Sequence, residues 1–203
     1  MVFMNDPEIR QLLFKHLTRR KSIGETDIYE EVPLRTGQVR ADIVLIGSYL
    51  ECFEIKGPND TLKRLLDQGN QYQETFEKIH LVCATKHINK VIHMVPKWWG
   101  IIEITQSGQV KNIQKAKNNP KRKIQGLVDL LHVDEAKNIL KNSTHLGVSK
   151  LNHSHLRELL VEHLSEIELR VKIRQELAKR KWRWLPSQNA INQPHLNART
   201  WAI

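Results

Sequence analysis

Cysteine is scarce in this chain, with two in 203 residues. Cys52 and Cys83 both fall inside apolar, strand-like runs and have no C-x-x-C spacing, which argues against a disulfide scaffold or a cysteine zinc site and for small buried side chains in a reducing compartment. No stretch approaches the roughly 18 consecutive apolar residues of a membrane span. The opening "MVFMNDPEIRQ" meets Asp and Glu too early for a signal peptide, so a cytoplasmic location with no membrane association is expected. There is no glycine-rich phosphate loop, and no Ser/His/Asp arrangement to suggest acyl transfer. Ten histidines are present, but the tempting pair His153 and His155 has no Cys or acidic cluster beside it, so surface or capping roles are expected over zinc binding.

Acidic residues are also missing from one half. Residues 1–110 hold 14 Lys/Arg against 14 Asp/Glu, whereas residues 111–203 hold 18 against 8, so the net charge of +10 lies wholly in the second half. A neutral half joined to a basic half suggests a module that binds a polyanion.

The first half reads as alternating elements. "DPEIRQLLFKHLTRR" is a helix that Asp6 can cap, with Pro7 in its first turn and Ile9, Leu12, Leu13 and Leu17 near one face. "TDIYEEVPLR", "ADIVLI" and "YLECFEIK" read as strands, with Gly47-Ser48 at the reversal between the last two. A helix capped by Asp60 and running to about Glu77 follows. Then come the strand "IHLVCAT", the helix "HINKVIHMV" with Ile88, Val91, Ile92 and Val95 inward, and the strand "WGIIEIT". The order α-β-β-β-α-β-α-β predicts an α/β fold, a mixed sheet flanked by helices. Trp98-Trp99 is expected to pack at a helix–strand junction, one residue buried and one partly exposed. Residues 106–123 carry six basic residues, no acidic ones and no apolar periodicity, and read as a basic linker. From Ile124 the pattern is helical to about residue 184, and residues 185–203 read as a tail.

The strand "LECFEIK" poses the chemical question. Successive residues of a strand alternate faces, so Glu54 and Lys56 project together, about 6.6 Å apart, while Phe53 and Ile55 point into the opposite layer. Whether Asp42 of the preceding strand joins them depends on the turn. A two-residue turn at Gly47-Ser48 sets Asp42 opposite Phe53, and a three-residue loop, Gly47–Tyr49, sets it opposite Glu54. The odd-length loop, or an equivalent bulge, is predicted, because charges on otherwise apolar strands are costly unless a metal or substrate uses them. Two carboxylates meeting at a sheet end suit Mg²⁺, with Mn²⁺ able to substitute. Such an ion polarises a phosphate oxygen and lowers the pKa of a bound water. Lys56 would then orient that water or neutralise developing charge.

On these residues, "RADIVLI…FEIKG", the chain resembles the PD-(D/E)XK nuclease superfamily, with Asp42, Glu54 and Lys56 on the three motif positions. "DQGNQY" places Gln68 and Tyr72 four apart on the next helix, similar to the Gln-x-x-x-Tyr signature of the RecB-like branch. The run through "KHINKVIHMVPKWWGIIEI" resembles a little-studied group of bacterial and phage proteins assigned to that superfamily. The usual motif begins Pro-Asp, and here Ala41 precedes Asp42. The resemblance implies a restriction-endonuclease-like αβββαβ core at residues 1–105, and the charge pattern adds a basic linker at 106–123 and a basic helical, nucleic-acid-binding appendage at 124–184. It implies that Asp42, Glu54 and the Ile55 carbonyl hold Mg²⁺, that Glu31 helps ligate a first or second ion, and that Gln68 and Tyr72 support substrate and site. Glu30 adjoins Glu31, and strand alternation predicts that only one of the two faces the site.

The reading that follows is a Mg²⁺-dependent deoxyribonuclease. Its alternatives are a catalytically silent nucleic-acid-binding protein on the same fold and an RNA-directed nuclease. Lys111, Lys115, Lys117, Lys121, Arg122 and Lys123 of the linker, with Arg174, Arg180, Lys181 and Arg183 of the last helix, are the expected phosphate contacts. Six of them in use would give a slope of log K against log[salt] of about −5. Trp182 and Trp184 are candidates for base stacking or for docking the tail. Glu54→Ala and Lys56→Ala are expected to abolish cleavage and leave folding and DNA binding largely intact. Single- or double-stranded preference and oligomeric state, a homodimer included, are left open.

Overall fold

The computed structural model describes residues 5–19, 27–34, 37 and 39–180. Helix α1 (Asp6–Thr18) precedes strands β1 (Ile28–Leu34), β2 (Val39–Ile46) and β3 (Leu50–Lys56), then α2 (Leu65–Thr75) and β4 (Lys78–Ala84). A short 3₁₀ turn at Thr85–His87 leads into α3 (Ile88–Met94), β5 (Gly100–Ile104) and β6 (Val110–Gln114). Four helices follow: α4 (Ile124–Val128), α5 (Val133–Ser143), α6 (His153–His163) and α7 (Glu166–Lys179).

The six strands form one mixed sheet in the order β1-β2-β3-β4-β5-β6. The centre, β3-β4-β5, is parallel, because a helix returns the chain between each pair, and the outer pairs are antiparallel. Alternation sorts the side chains into two layers. Phe53, Ile55, Val82 and Ile102 pack under α1 with Ile9, Leu13 and Leu17. Cys52, Leu81, Cys83 and Ile101 face the other way, into a cluster with Tyr72 and Phe76 of α2. The C-terminal helices enter that same cluster through Leu140, Leu160, Leu169, Ile173 and Leu177.

Several local expectations change. Asn5, not Asp6, caps α1: its side chain accepts the Glu8 N–H at 3.0 Å, and Glu8 reaches back to the Asn5 N–H at 2.8 Å. Asp60 does not start α2, which begins at Leu65; its carboxylate takes the Gly57 N–H at 2.6 Å and closes the turn after β3. Ile92 is exposed rather than inward. Trp99 is buried and Trp98 half-buried, as expected. The buried indole lies so close to Gly69 of α2 that a Cβ there would sit 2.7 Å from the ring.

The stretch 106–123 is not a free linker. Val110–Gln114 pairs with β5 as an antiparallel edge strand, after a turn in which Gly108 adopts φ +78°. An edge strand needs backbone partners more than buried side chains, so a polar, lysine-bearing sequence satisfies it and leaves no apolar alternation to read. Farther on, Asn119 is buried and its amide donates to the carbonyls of Gln73 and Phe76 at 2.6 and 2.7 Å, tying the segment to the end of α2.

Candidate active site

The β2–β3 loop has three residues, Gly47–Tyr49. Ile46 pairs with Leu50, Val44 with Cys52 and Ile43 with Phe53, so the register carries Asp42 to Glu54 as the odd-length loop requires. The ladder stops at Ile43–Phe53. Just beyond it, the Asp42 carboxylate accepts the Ile55 N–H at 2.7 Å, so a side chain satisfies a backbone donor where the strands part.

Glu54 is 1% exposed and Lys56 8%. Charges at that depth need partners, and each has them. Lys56 Nζ lies 2.6 Å from Glu54 Oε1 and donates to Gln68 Oε1 at 3.3 Å. The Tyr72 hydroxyl lies 2.6 Å from Glu54 Oε2 and 2.9 Å from the Arg40 carbonyl. Thus the two residues of the helical Gln-x-x-x-Tyr pair touch Lys56 and Glu54 of β3, one each. Burial, with Glu54 nearby, raises the Tyr72 pKa, so the phenol stays protonated and serves as a donor. Burial pushes the Asp42 carboxyl up to about 7, the nearby Glu54 charge adds to it, and Arg10 and the Ile55 N–H offset part of the rise. Behind β3, buried His87 lies 3.0 Å from the Gly57 carbonyl through Nε2 and fixes the turn that follows Lys56.

Arg10, on α1, is the group that sequence reasoning passed over. Its Nε donates to Asp6 at 2.6 Å. Nη1 donates to Glu30 at 3.3 Å and to the Asp42 carbonyl at 3.1 Å, and Nη2 to Glu31 at 3.0 Å and Asp42 Oδ1 at 3.2 Å. The only trace in the sequence is Asp6-x-x-x-Arg10, an ordinary i,i+4 pair. The expectation that Glu30 and Glu31 face opposite ways also fails, since both reach this guanidinium. Glu31 has φ +51°, a left-handed conformation that breaks the pleat between the Glu30–Ile43 and Val32–Ala41 pairs. A non-glycine residue held there stores roughly 1–3 kcal/mol of strain, and the ion pair to Arg10 helps hold it.

The Asp42 and Glu54 side chains, the carboxylates brought together here, offer hard oxygens. That suits a Mg²⁺ or Mn²⁺ ion that keeps several waters. Among the described residues, no group of three or more His, Cys, Asp or Glu side chains is placed to hold a metal ion.

The expected phosphate contacts divide into two kinds. Lys111, Lys115, Lys117 and Lys121 are exposed, and their ammonium groups have no ion-pair partner among the described residues. Arg122 pairs with Glu166 and Lys123 with Glu74. Arg174 is tied to the Ser48 carbonyl and Glu77, and Arg180 to Glu135 and the Leu130 carbonyl, so these two clamp α7 to the body. Lys181, Arg183, Trp182 and Trp184 lie outside the described residues. His153 contacts the Leu131 carbonyl at 3.0 Å and the His155 backbone N–H is capped by Asn152, which are structural roles. None of the described helices is long and apolar enough to cross a membrane.

Comparison with known proteins adds the lineage. The solved structure of the SPO1766 protein of unknown function from Silicibacter pomeroyi aligns with 74% of this chain and 100% of its own, at a TM-score of 0.44 and 14% identity. Protein cII of Enterobacteria phage P4 is 30% identical over 117 residues, which are 56% of this chain and 44% of the phage protein, so the match spans less than half the length of that relative. The sequence pattern of the family described as Bacteriophage P4 protein cII matches residues 2–192, nearly the whole chain, and the protein therefore belongs to that family.

Proposed function

We propose that the protein is a metal-dependent nuclease of PD-(D/E)XK type that hydrolyses DNA phosphodiester bonds at Asp42, Glu54 and Lys56. The observation that carries this reading is the contact of Gln68 with Lys56 and of Tyr72 with Glu54. A sheet-edge ion pair needs no helical partners of that kind, whereas a site that must hold a carboxylate and an ammonium in fixed geometry does. Mg²⁺, or Mn²⁺ in its place, would supply polarisation of the phosphate and a more acidic water. Asp42, Glu54 and the Ile55 carbonyl would hold it, with Glu31 near enough to assist a second ion. Lys56 would sit beside the attacking water and offset charge building on the phosphate as the new P–O bond forms and the bridging P–O bond breaks. Tyr72 would hold Glu54 in place, and Gln68 would do the same for Lys56.

Lys111, Lys115, Lys117 and Lys121 would bind the polymer backbone without reading its sequence. Four such contacts correspond to a slope of log K against log[salt] of about −3.6.

The second reading, a nucleic-acid-binding protein without catalysis, draws support from the saturation of the site. Both oxygens of Asp42 and both of Glu54 already accept from protein donors. Incubating single- and double-stranded DNA, and RNA of the same sequence, with the protein in Mg²⁺, Mn²⁺ or EDTA decides between them. The control is Lys56→Ala, with its folding checked by circular dichroism. Metal-dependent cutting of DNA that the folded variant lacks supports the nuclease. Cutting of RNA alone redirects it. Binding without cutting of either polymer selects the silent binder.

A further inference from the structure

The Arg10 guanidinium gives four of its five N–H donors to carboxylates and the fifth to the Asp42 backbone carbonyl, and its side chain is only 15% exposed. Its partners are not equivalent. Asp6 and Glu31 are about half exposed, at 50% and 47%, while Asp42 and Glu30 are more enclosed, at 23% and 26%. A divalent ion bound to Asp42 at about 2.1 Å would stand within a few ångströms of Nη2, which is itself 3.2 Å from Asp42 Oδ1. Two cations that close, in a site partly shielded from water, repel strongly.

We infer that the Arg10 guanidinium is the resident cation of the carboxylate cluster, that a divalent ion must displace it from Asp42, and that Arg10 thereby sets the metal affinity of the site from helix α1. This rests on the reading of Asp42 and Glu54 as metal ligands. Arg10 has a partner to keep when it leaves Asp42: Nε bonds Asp6, four residues away on the same helix and half exposed, which would let the fork turn toward solvent. Released in this way, a planar guanidinium beside the metal is placed to take two oxygens of a phosphodiester, so the residue that excludes the ion in the free protein would clamp the substrate in the loaded one.

Calorimetric titration of Mn²⁺ into the full chain, in the absence of nucleic acid, tests this with four proteins. Arg10→Met, of similar volume and no charge, is expected to bind Mn²⁺ at least about tenfold more tightly than the wild type. Arg10→Lys keeps the charge and loses the fork, and should fall in between. Asp42→Asn should not bind. Binding by the wild type with no tightening in Arg10→Met overturns the inference and leaves the metal site standing. No binding by wild type or Arg10→Met overturns the metal site itself, and the inference with it. Should Arg10→Met need the ion to fold, its Kd is taken instead from the Mn²⁺ dependence of its unfolding free energy, followed by circular dichroism in urea. A Kd well below the wild-type value supports the inference, and one at or above it refutes it.

Discussion

Two charged regions of this protein obey opposite rules. At the fork between β2 and β3, Asp42, Glu54 and Lys56 are buried or nearly so, and the charged atoms of each have partners within 3.3 Å. Along β6 and the segment after it, Lys111, Lys115, Lys117 and Lys121 are as densely charged but exposed, with no ion-pair partner among the described residues. Desolvation explains the contrast: an ion out of water must recover its hydration from the protein, and an ion in water need not. Each charge in the fork is therefore held in one geometry, which chemistry on a substrate requires. The lysines of the edge are held in none, which suits attraction of a polyanion without readout.

The contrast is sharpest at Lys56. Its removal leaves Glu54 buried beside Asp42 without its cation, so Lys56→Ala should lose on the order of 3 kcal/mol of stability as well as the proposed cleavage, the former read by urea denaturation. That departs from the sequence-based expectation of unchanged folding, because burial of the pair could not be read from the strand alone. A loss below about 0.5 kcal/mol would mean that the pair behaves as a surface ion pair and would break the contrast.

Arg180 carries the next largest effect. It was grouped with the phosphate contacts from its place in a basic helix, yet it pairs with Glu135 and bonds the Leu130 carbonyl. Arg180→Ala should cost about 2 kcal/mol and leave the salt slope of DNA binding unchanged. A shallower slope at unchanged stability would return Arg180 to the binding surface.

The Asp42 carboxyl gives a pH test of intermediate size. Its folded pKa of about 7 stands above its ordinary 3.8. The folded protein therefore holds this proton more tightly than the unfolded chain, and stability falls as pH rises from about 4 to about 7, then stays level. Asp42→Asn removes that loss. The melting temperature of the variant should gain on the wild type through this window and keep the gain above it. A constant difference across pH 4–8 would show that Arg10 and the Ile55 N–H fully compensate the charge.

The smallest effect is expected at the edge. Replacing Lys111, Lys115, Lys117 and Lys121 together by Gln should shift stability by less than about 1 kcal/mol, while the salt slope falls by about 3.6. Destabilisation beyond that would mean that β6 depends on its side chains as well as on its ladder.

Much of the fold was legible because two-residue and helical periodicities report burial directly. Phe53 and Ile55 against Glu54 and Lys56, and Leu81 and Cys83 against Val82, mark the two faces of the sheet by alternation alone. Strand β6 was not legible, because what holds it is backbone pairing, to which every residue contributes alike. The same limit applies to Asn119, a buried amide with two carbonyl acceptors inside a stretch that reads as solvent-facing.

In the site, the residue types and the face that Glu54 and Lys56 share on β3 follow from the amino-acid sequence, since the pleat is a local property, whereas Gly47-Ser48 suits a two- or a three-residue loop and the strand register decided which. The tertiary structure alone decided which charges stand in for one another. Arg10 lies 32 residues from Asp42 and on a different element, and Glu31 leaves the pleat through a backbone angle that no periodicity encodes. Long-range electrostatics depends on distance in space and on the water excluded between the groups, and both exist only once α1 has packed across the sheet.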